Sequence, residues 1–352
     1  MLYKEKNPHG GDIYAGDIRL DFSANTNPFG TPQGVQAAVS ACLPDLHRYP
    51  DPYCRRLVSA IAAREGVPED YVLCGAGAAE LIYSYCASAK PSTALELAPT
   101  FSEYSLALEN AGCRVYRHLL REEDGFSVTE RLITNIQALS PDVIFLCDPN
   151  NPTGKLMDPA LKGRILTAAA DAGARVFMDE CFMDLTENGV SIVPRLPRMP
   201  FAAVLKAFTK SFGMAGVRLG YLLCSDPALL RGMSRAVQPW NVSSAAQAAG
   251  VAALGETGFI EKTRALIGAE RPRMEKALRA LGAEVFPSDA NFLLFRSSPL
   301  LGPALRRRGI LIRDCSNYHG LGPGFFRTAV RLPGENDALI EAIRGILWQE
   351  TL

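Results

Sequence analysis

The chain has 352 residues, of which 48% are hydrophobic, and its 37 lysines and arginines balance its 37 aspartates and glutamates. This length predicts one large and one smaller domain. The neutral charge gives no electrostatic reason to bind nucleic acid or an anionic membrane. The nine cysteines form no CxxC pair, so we expect reduced thiols and no metal site. No apolar signal core or membrane-spanning run is apparent, and we expect a cytoplasmic protein.

Short β-type runs alternate with helical stretches through the middle of the chain. In chain order these runs cover residues 72–74, 93–97, 143–147, 175–178, 202–205 and 220–224. Such alternation predicts an α/β fold with a mostly parallel sheet.

The pattern changes near Pro239. A helix-rich stretch follows over residues 243–282, and two further β-type segments lie at 290–295 and 326–331. These segments predict a smaller C-terminal α/β domain. The predicted parts are an N-terminal arm, a large domain and a small domain, over residues 1–30, 31–240 and 241–352.

Three polar side chains each follow one of the β-type runs. They are Lys210, Asp179 and Asn151, the last in an Asn-Pro-Thr-Gly turn. Because ligands collect at the carboxyl ends of parallel strands, we expect these groups to meet at one edge of the sheet. A pyridoxal cofactor needs a lysine, an acid facing its ring nitrogen and a donor to its phenolic oxygen. The three residues match that set, although Lys206 competes for the role of the lysine.

The same cofactor needs a cradle for its phosphate. The Gly-Ala-Gly turn at residues 75–77 precedes a predicted helix, whose N-terminal N–H groups suit an anion. Thr209 and Arg218 flank Lys210 and could help to hold a phosphate. Tyr104 could stack on the cofactor ring.

Together these motifs resemble the fold-type I, class I/II aminotransferase family over essentially the whole chain. The resemblance implies a large domain with a mostly parallel central sheet plus a smaller C-terminal α/β domain, pyridoxal 5'-phosphate as cofactor, and a homodimer. It implies catalytic roles for Asp179 and for Lys210, as the Schiff-base lysine. The cofactor-binding residues it implies are Ala76, Gly77, Ala78, Tyr104, Asn151, Asp179, Thr209, Lys210, Arg218 and Tyr49. Tyr49 would reach the cofactor phosphate of the neighbouring subunit.

Two branches of the family fit, and both act on phosphorylated substrates: histidinol-phosphate aminotransferases and the threonine-phosphate decarboxylases of cobalamin biosynthesis. Position 182 supports the resemblance to the decarboxylases, which includes a phenylalanine there. Many aminotransferases of this branch instead have a tyrosine that donates to the phenolic oxygen. The other segments that resemble the decarboxylases cover residues 9–11, 20–28, 238–242, 310–321 and 326–331.

The resemblance also implies the substrate-binding residues. Arg327 would bind the substrate carboxylate, and Arg313 and His9 its phosphate. Asn25 and Asn151 would line the same pocket. We therefore expect decarboxylation of L-threonine O-3-phosphate to (R)-1-amino-2-propanol O-phosphate. The alternatives are transamination of histidinol phosphate with 2-oxoglutarate, a preference for serine phosphate, and a cofactor-binding regulator without activity.

Overall fold

The computed structural model describes residues 9–14 and 16–350, with side chains described as far as residue 348. Residues 1–8 and 15 of the predicted arm, and 351–352 of the predicted small domain, lie outside the described residues. The helices are α1 (Gln33–Ala41), α2 (Arg55–Glu65), α3 (Ala78–Ala89), α4 (Glu103–Asn110), α5 (Arg131–Leu139), α6 (Pro159–Asp171), α7 (Phe208–Ser211), α8 (Pro227–Ala236), α9 (Ser244–Leu254), α10 (Phe259–Ala280), α11 (Leu301–Arg307) and α12 (Pro333–Glu350). The strands are β1 (Leu20–Asp21), β2 (Val72–Gly75), β3 (Thr93–Ala98), β4 (Arg114–Leu119), β5 (Val143–Cys147), β6 (Arg175–Asp179), β7 (Ala202–Ala207), β8 (Gly220–Cys224), β9 (Glu284–Val285), β10 (Phe292–Arg296), β11 (Ile310–Leu311), β12 (Arg313–Asp314) and β13 (Phe325–Ala329).

Within the described part of the chain, the largest sheet has seven strands in the order β2-β8-β7-β6-β5-β3-β4. Strand β8 is antiparallel to both of its neighbours, and the other neighbouring strands are parallel. Strands β5, β7 and β8 are buried along their whole length. Their mostly apolar sequences are typical of strands covered on both faces, with Lys206 in β7 as the charged exception. The predicted α/β fold with a mostly parallel sheet is confirmed.

A second, smaller sheet lies in the C-terminal part of the chain. Its strands are antiparallel in the order β12-β13-β10-β9. The N-terminal arm joins this region, because β1 pairs in parallel with β11. The two sheets fall on either side of residue 240, but α9, just beyond it, packs against α1 and α2 of the large domain. The domain boundaries themselves stay predictions.

The parallel strands bring their carboxyl ends to one edge of the large sheet. Asn151 follows β5, Asp179 ends β6, and Lys210 lies in α7 directly after β7. The sheet therefore places the three predicted cofactor groups side by side. No helix within residues 9–14 and 16–350 is long and apolar enough to cross a membrane.

Candidate active site

A cavity of about 230 Å³, the inner cavity, is lined by both the large sheet's carboxyl edge and the smaller sheet. It brings together most of the side chains singled out from the sequence. These are His9, Asn25, Ala78, Tyr104, Asn151, Asp179, Thr209, Lys210, Arg218, Arg313 and Arg327. Ala76, Gly77 and Tyr49 are not among the lining residues. Groups from three separate parts of the chain therefore face one shared cavity.

Lys210 is the lysine that faces the inner cavity. Burial among neighbouring groups lowers the pKa of its ammonium to about 8, and the positive charge of Arg327 contributes in the same direction. Its Nζ lies 5.6 Å from the centroid of the Phe182 ring. Near pH 8 a large fraction of this amine is neutral, which is the form that attacks an aldehyde carbon.

Lys206, the competing lysine, has different surroundings within β7. Its Nζ lies 3.0 Å from Glu65 Oε1 and 3.1 Å from Asp184 Oδ1. Burial alone would lower the pKa of Lys206, but the negative charges of Asp184 and Glu65 outweigh it and raise that pKa. Lys206 is therefore held protonated in a buried ion-pair cluster, which supports Lys210 as the reactive lysine.

Asp179 is held in place by two donors. The Tyr104 hydroxyl donates to Oδ2 at 2.6 Å, and the Cys181 backbone N–H donates to Oδ1 at 2.8 Å. Burial raises the pKa of Asp179, while the hydrogen bonds from Cys181 and Tyr104 oppose that rise. The Tyr104 ring packs against Phe101 and Phe145. Tyr104, predicted to stack on the cofactor, thus also fixes the orientation of the acid through its hydroxyl.

Arg327, in β13 of the smaller sheet, contacts residues from two distant parts of the chain. Its Nη1 donates to Asn151 Oδ1, and its Nη2 donates to the Ser23 carbonyl at 2.8 Å. The residue is 6% exposed, and its Nε has no hydrogen-bond partner among the described residues. A buried guanidinium with neutral partners is costly unless an anion joins it. Arg327 is therefore well suited to bind a carboxylate.

Arg313 lies directly opposite Arg327 in the smaller sheet. The two residues are register partners in the antiparallel pair of β12 and β13. Both are buried, and both line the inner cavity. Arg313 donates to Asn317 Oδ1 at 2.8 Å. The two guanidinium groups therefore lie close together in the sheet and bring positive charge to the inner cavity, which suits anionic groups of a ligand.

The glycine-rich turn after β2 approaches Arg218 closely. A Cβ added to Gly77 would lie 2.8 Å from Arg218 Nη2, and Gly77 has a φ of +90°. Only glycine leaves this space at no steric cost. Ala78, the first residue of α3, and Thr209 line the inner cavity beside Arg218. An anion here would meet a helix N-terminus and a guanidinium.

Two residues predicted to cradle the phosphate direct their backbone N–H groups elsewhere. The N–H of Ala76 donates to Glu80 Oε2 at 2.7 Å, and that of Gly77 donates to the Gly75 carbonyl at 2.8 Å. The Glu80 carboxylate also accepts from the Asn241 side chain at 2.6 Å. In this arrangement Ala76 and Gly77 shape the turn, and their predicted contact with a phosphate stays a prediction.

Asn25 carries a second sign that the inner cavity receives a polar ligand. It is 1% exposed, yet neither Oδ1 nor Nδ2 has a hydrogen-bond partner among the described residues. Buried amide atoms without partners are rare in folded proteins. Together with a neutralisable lysine, a buried acid and an anion cradle, these atoms fit pyridoxal phosphate and an attached polar substrate.

His9 lies where the inner cavity meets a larger cavity of about 680 Å³, the outer cavity. His9, Ser23 and Arg313 line both cavities. The His9 ring contacts the ring of Phe101, and its Nε2 lies 2.6 Å from Glu103 Oε1. The arm residue predicted to bind a phosphate is therefore at the opening of the site.

Several lining residues were not singled out from the sequence as site residues. Among them are Cys181, Ser23 and Tyr318. Each lies within two residues of a motif or segment already identified, which is the signal that could have found it. Phe182, noted only as a departure from the aminotransferases, lines the inner cavity and packs edge-on against Phe292, with ring centroids 5.1 Å apart.

Tyr49 lies away from the inner cavity. It is 79% exposed, and its ring stacks on Trp240 with centroids 4.5 Å apart. Its predicted contact with a neighbouring subunit concerns a second chain and stays a prediction.

Comparison with known proteins identifies the family and the fold of this chain. The aminotransferase class I and II family matches residues 17–343. The threonine-phosphate decarboxylase of Salmonella typhimurium is 36% identical over 96% of each chain. A histidinol-phosphate aminotransferase of Desulfitobacterium hafniense is also 36% identical, over 94% of this chain and 92% of its own. The solved structure of the histidinol-phosphate aminotransferase from Clostridium acetobutylicum has a TM-score of 0.87 at 28% identity, and covers 94% of this chain and 99% of its own. The predicted family, fold and pyridoxal-phosphate cofactor are thereby confirmed.

Proposed function

This chain belongs to the aminotransferase class I and II family, and within it we propose that the chain decarboxylates L-threonine O-3-phosphate to (R)-1-amino-2-propanol O-phosphate. The observation that carries the proposal is Phe182 in the inner cavity, where a phenyl ring offers no hydroxyl to the phenolic oxygen. The pair of buried arginines, Arg313 and Arg327, opposite each other in neighbouring strands, supports a substrate with two anionic groups. A substrate with both a phosphate and a carboxylate compensates both charges. The similarity to a threonine-phosphate decarboxylase supports this assignment, and a cytoplasmic role in cobalamin biosynthesis belongs to the same proposal.

The residues around the inner cavity divide between cofactor and substrate. Lys210 would hold the cofactor covalently, Asp179 would face its ring nitrogen, and Asn151 would face its phenolic oxygen. Ala78, Thr209 and Arg218 would hold its phosphate. When bound, pyridoxal phosphate supplies an electron sink for the pair of electrons left on the α-carbon when one of its bonds breaks.

Substrate orientation decides which bond to the α-carbon breaks. Arg327 would bind the carboxylate, while Arg313 and His9 would bind the phosphate, so that both ends of the substrate are fixed. About 3 kcal/mol of differential transition-state stabilisation favours one bond over another by about 100-fold. After carbon dioxide leaves, Lys210 Nζ would return a proton to the α-carbon, a task for which a pKa of about 8 suits it.

The second candidate is transamination of histidinol phosphate, which the similarity to histidinol-phosphate aminotransferases favours. Glutamate, the partner in such a reaction, also carries two anionic groups, so the arginines alone do not distinguish the two. Phe182 does favour decarboxylation, because a phenyl ring has no hydroxyl to donate toward the phenolic oxygen. That leaves Asn151 as the proposed donor.

The deciding experiment incubates the cofactor-loaded protein with threonine O-phosphate and measures carbon dioxide release and product formation. We expect equal amounts of carbon dioxide and aminopropanol phosphate. No release, together with amino transfer from histidinol phosphate to 2-oxoglutarate, would overturn the proposal. No turnover of either substrate would leave the non-enzymatic regulator. Serine O-phosphate tested in parallel measures the effect of one methyl group, which we expect to be about 10- to 200-fold.

We further propose a homodimer in which Tyr49 reaches the cofactor phosphate of the neighbouring subunit. Large exposed side chains support an interface near Tyr49, namely those of Leu43, Leu46, Tyr53 and Trp240. Sedimentation velocity measures the oligomeric state. Tyr49→Phe should weaken pyridoxal-phosphate affinity about tenfold if its hydroxyl binds the phosphate, and an unchanged affinity would argue against that contact.

A further inference from the structure

One contact of the N-terminal arm at the active site joins a histidine to a carboxylate. His9 Nε2 lies 2.6 Å from Glu103 Oε1, across 94 residues of sequence. Glu103 is the first residue of α4, one position before Tyr104, which binds the acid Asp179. The His9 ring also lies against Phe101, with ring centroids 5.6 Å apart. The contact therefore joins the arm to the helix that borders the inner cavity.

Glu103 is a well-fixed partner for this contact. Its other oxygen, Oε2, accepts a hydrogen bond from the Tyr83 hydroxyl at 3.1 Å. Its side chain is 14% exposed, against 34% for His9. The hydrogen bond from His9 lowers the pKa of Glu103, so the carboxylate is ionised at neutral pH. A carboxylate held from both oxygens has little freedom to leave the histidine.

The two glycines after His9 allow the same close approach. A Cβ on Gly10 would lie 2.4 Å from the Ser23 carbonyl oxygen, and Gly11 has a φ of +86°. The N–H of Gly11 donates to Ser23 Oγ at 2.7 Å, and that hydroxyl donates to Asp21 Oδ1 at 2.6 Å. The His-Gly-Gly sequence thus combines a polar anchor with two residues that permit close backbone contact.

We propose that Glu103 is a positioning residue that latches the arm through His9 and so places the imidazole beside Arg313 for the phosphate of the substrate. The inference rests on the proposed function, because it assigns the phosphate to this end of the cavity. His9 and Arg313 line both the inner and the outer cavity. A released arm would leave Arg313 to bind the phosphate without His9.

The first test measures the latch without relying on turnover. Hydrogen–deuterium exchange is followed on the cofactor-loaded protein for the peptide that contains residues 9–14. Glu103→Gln and His9→Ala should both speed its exchange. Glu109→Gln is the matched control, since Glu109 also lies in α4 and forms an ion pair, with Arg117 at 3.3 Å. Equal exchange in Glu103→Gln and the unsubstituted protein would overturn the latch.

The second test asks whether the latch serves the phosphate. Glu103→Gln should raise KM for threonine O-phosphate about tenfold, with kcat changed by less than about twofold. His9→Ala should do the same, and the double variant should add nothing further, because the two residues act as one unit. Turnover of L-threonine, which lacks the phosphate, should not change in Glu103→Gln. Loss of kcat on both substrates would indicate a merely structural role and would contradict the proposal.

Gly10→Ala should also displace the arm from the active site, and it leaves the Glu103 carboxylate in place. The added methyl group meets the Ser23 backbone, so the arm should undock and KM should rise as in Glu103→Gln. Faster exchange with an unchanged KM would overturn the positioning role. If the protein turns over no threonine O-phosphate at all, the proposed function fails, and the exchange experiment still decides the latch.

Discussion

The cofactor side and the substrate side of the active site are assembled in different ways. On the cofactor side, Lys210 and Asp179 extend from neighbouring strands of one buried sheet. On the substrate side, Arg327 reaches the Ser23 carbonyl across 304 residues of sequence, joining the small domain to the arm. The first side is therefore built into the buried core of one sheet, whereas the second forms only when separate parts of the chain come together. We therefore expect the cofactor side to supply the chemistry that the family shares and the substrate side to determine which substrate reacts.

The largest expected effect, and the strictest test of the difference between the two sides, comes from replacing Lys210 and Lys206 one at a time. Lys210→Ala should reduce activity by more than about 1,000-fold and abolish covalent cofactor binding, since no other lysine of the described residues lines the inner cavity with Asp179. Lys206→Ala should retain covalent binding but lower the free energy of unfolding by about 3 kcal/mol, because Glu65 and Asp184 lose their buried counter-charge. Absorbance of the bound cofactor and urea denaturation measure the two effects. Covalent binding lost from Lys206→Ala and kept in Lys210→Ala would reverse the assignment.

On the substrate side, Arg327→Gln should have the next largest effect. Removing a buried guanidinium that binds a carboxylate should lower kcat/KM about 100-fold. Cofactor affinity should fall much less than kcat/KM, because Arg327 acts on the cofactor side only through its charge near Lys210 and its hydrogen bond to Asn151. Arg331→Gln is the control, since Arg331 pairs with Glu335 at 3.0 Å and does not line the inner cavity. A similar loss in both variants would mean that the substrate side is less specific than we infer.

The pH dependence of covalent cofactor uptake tests whether the pKa of Lys210 is lowered. Because its pKa is lowered to about 8, the neutral fraction of the amine rises from about one tenth at pH 7 to about nine tenths at pH 9. The rate of covalent cofactor uptake by the apoprotein, measured by trapping with borohydride, should increase about ninefold over this range and then level off. Arg327→Gln should shift the midpoint upward, since the Arg327 charge helps to lower the pKa. A rate that still rises tenfold per pH unit above pH 9 would indicate an ordinary lysine.

The smallest expected effect comes from Phe182→Tyr. Phe182 is 5% exposed and packs against Phe292, so an added hydroxyl should change kcat for decarboxylation only about threefold. A hydroxyl directed into the inner cavity should raise the slow side reaction of amino transfer, measured as pyridoxamine phosphate formed per carbon dioxide released. An unchanged ratio would mean that Phe182 does not favour decarboxylation over amino transfer.

Some strands could be predicted from the sequence and others could not, for a physical reason. Strand β5 was predicted with its observed bounds, because a fully apolar run of five residues is bounded by proline-containing turns. Strand β4, Arg-Val-Tyr-Arg-His-Leu, was not named, because an edge strand with one covered side keeps polar residues and lacks a clear apolar signal. The pair of β1 and β11 has two residues in each strand, too few to produce any pattern.

Site residues follow the same division. Asp179 and Asn151 were identifiable because Asp179 ends strand β6 and Asn151 lies in the turn after β5, so a local motif predicts each position. The contact of His9 with Glu103 was not identifiable, since nothing in either local sequence indicates a partner 94 residues away. The orientation of Arg327 toward Asn151 likewise depends on how the smaller sheet docks.

The sequence by itself determined the fold class, the family and the set of cofactor groups, because these depend on local runs of residues and on their order along the chain. The tertiary structure alone decided that Lys206 is held in an ion-pair cluster while Lys210 has a pKa of about 8. It also decided that Arg313 and Arg327 lie opposite each other. Such properties depend on burial and on charges brought together from distant parts of the chain, and neither quantity exists before the chain folds.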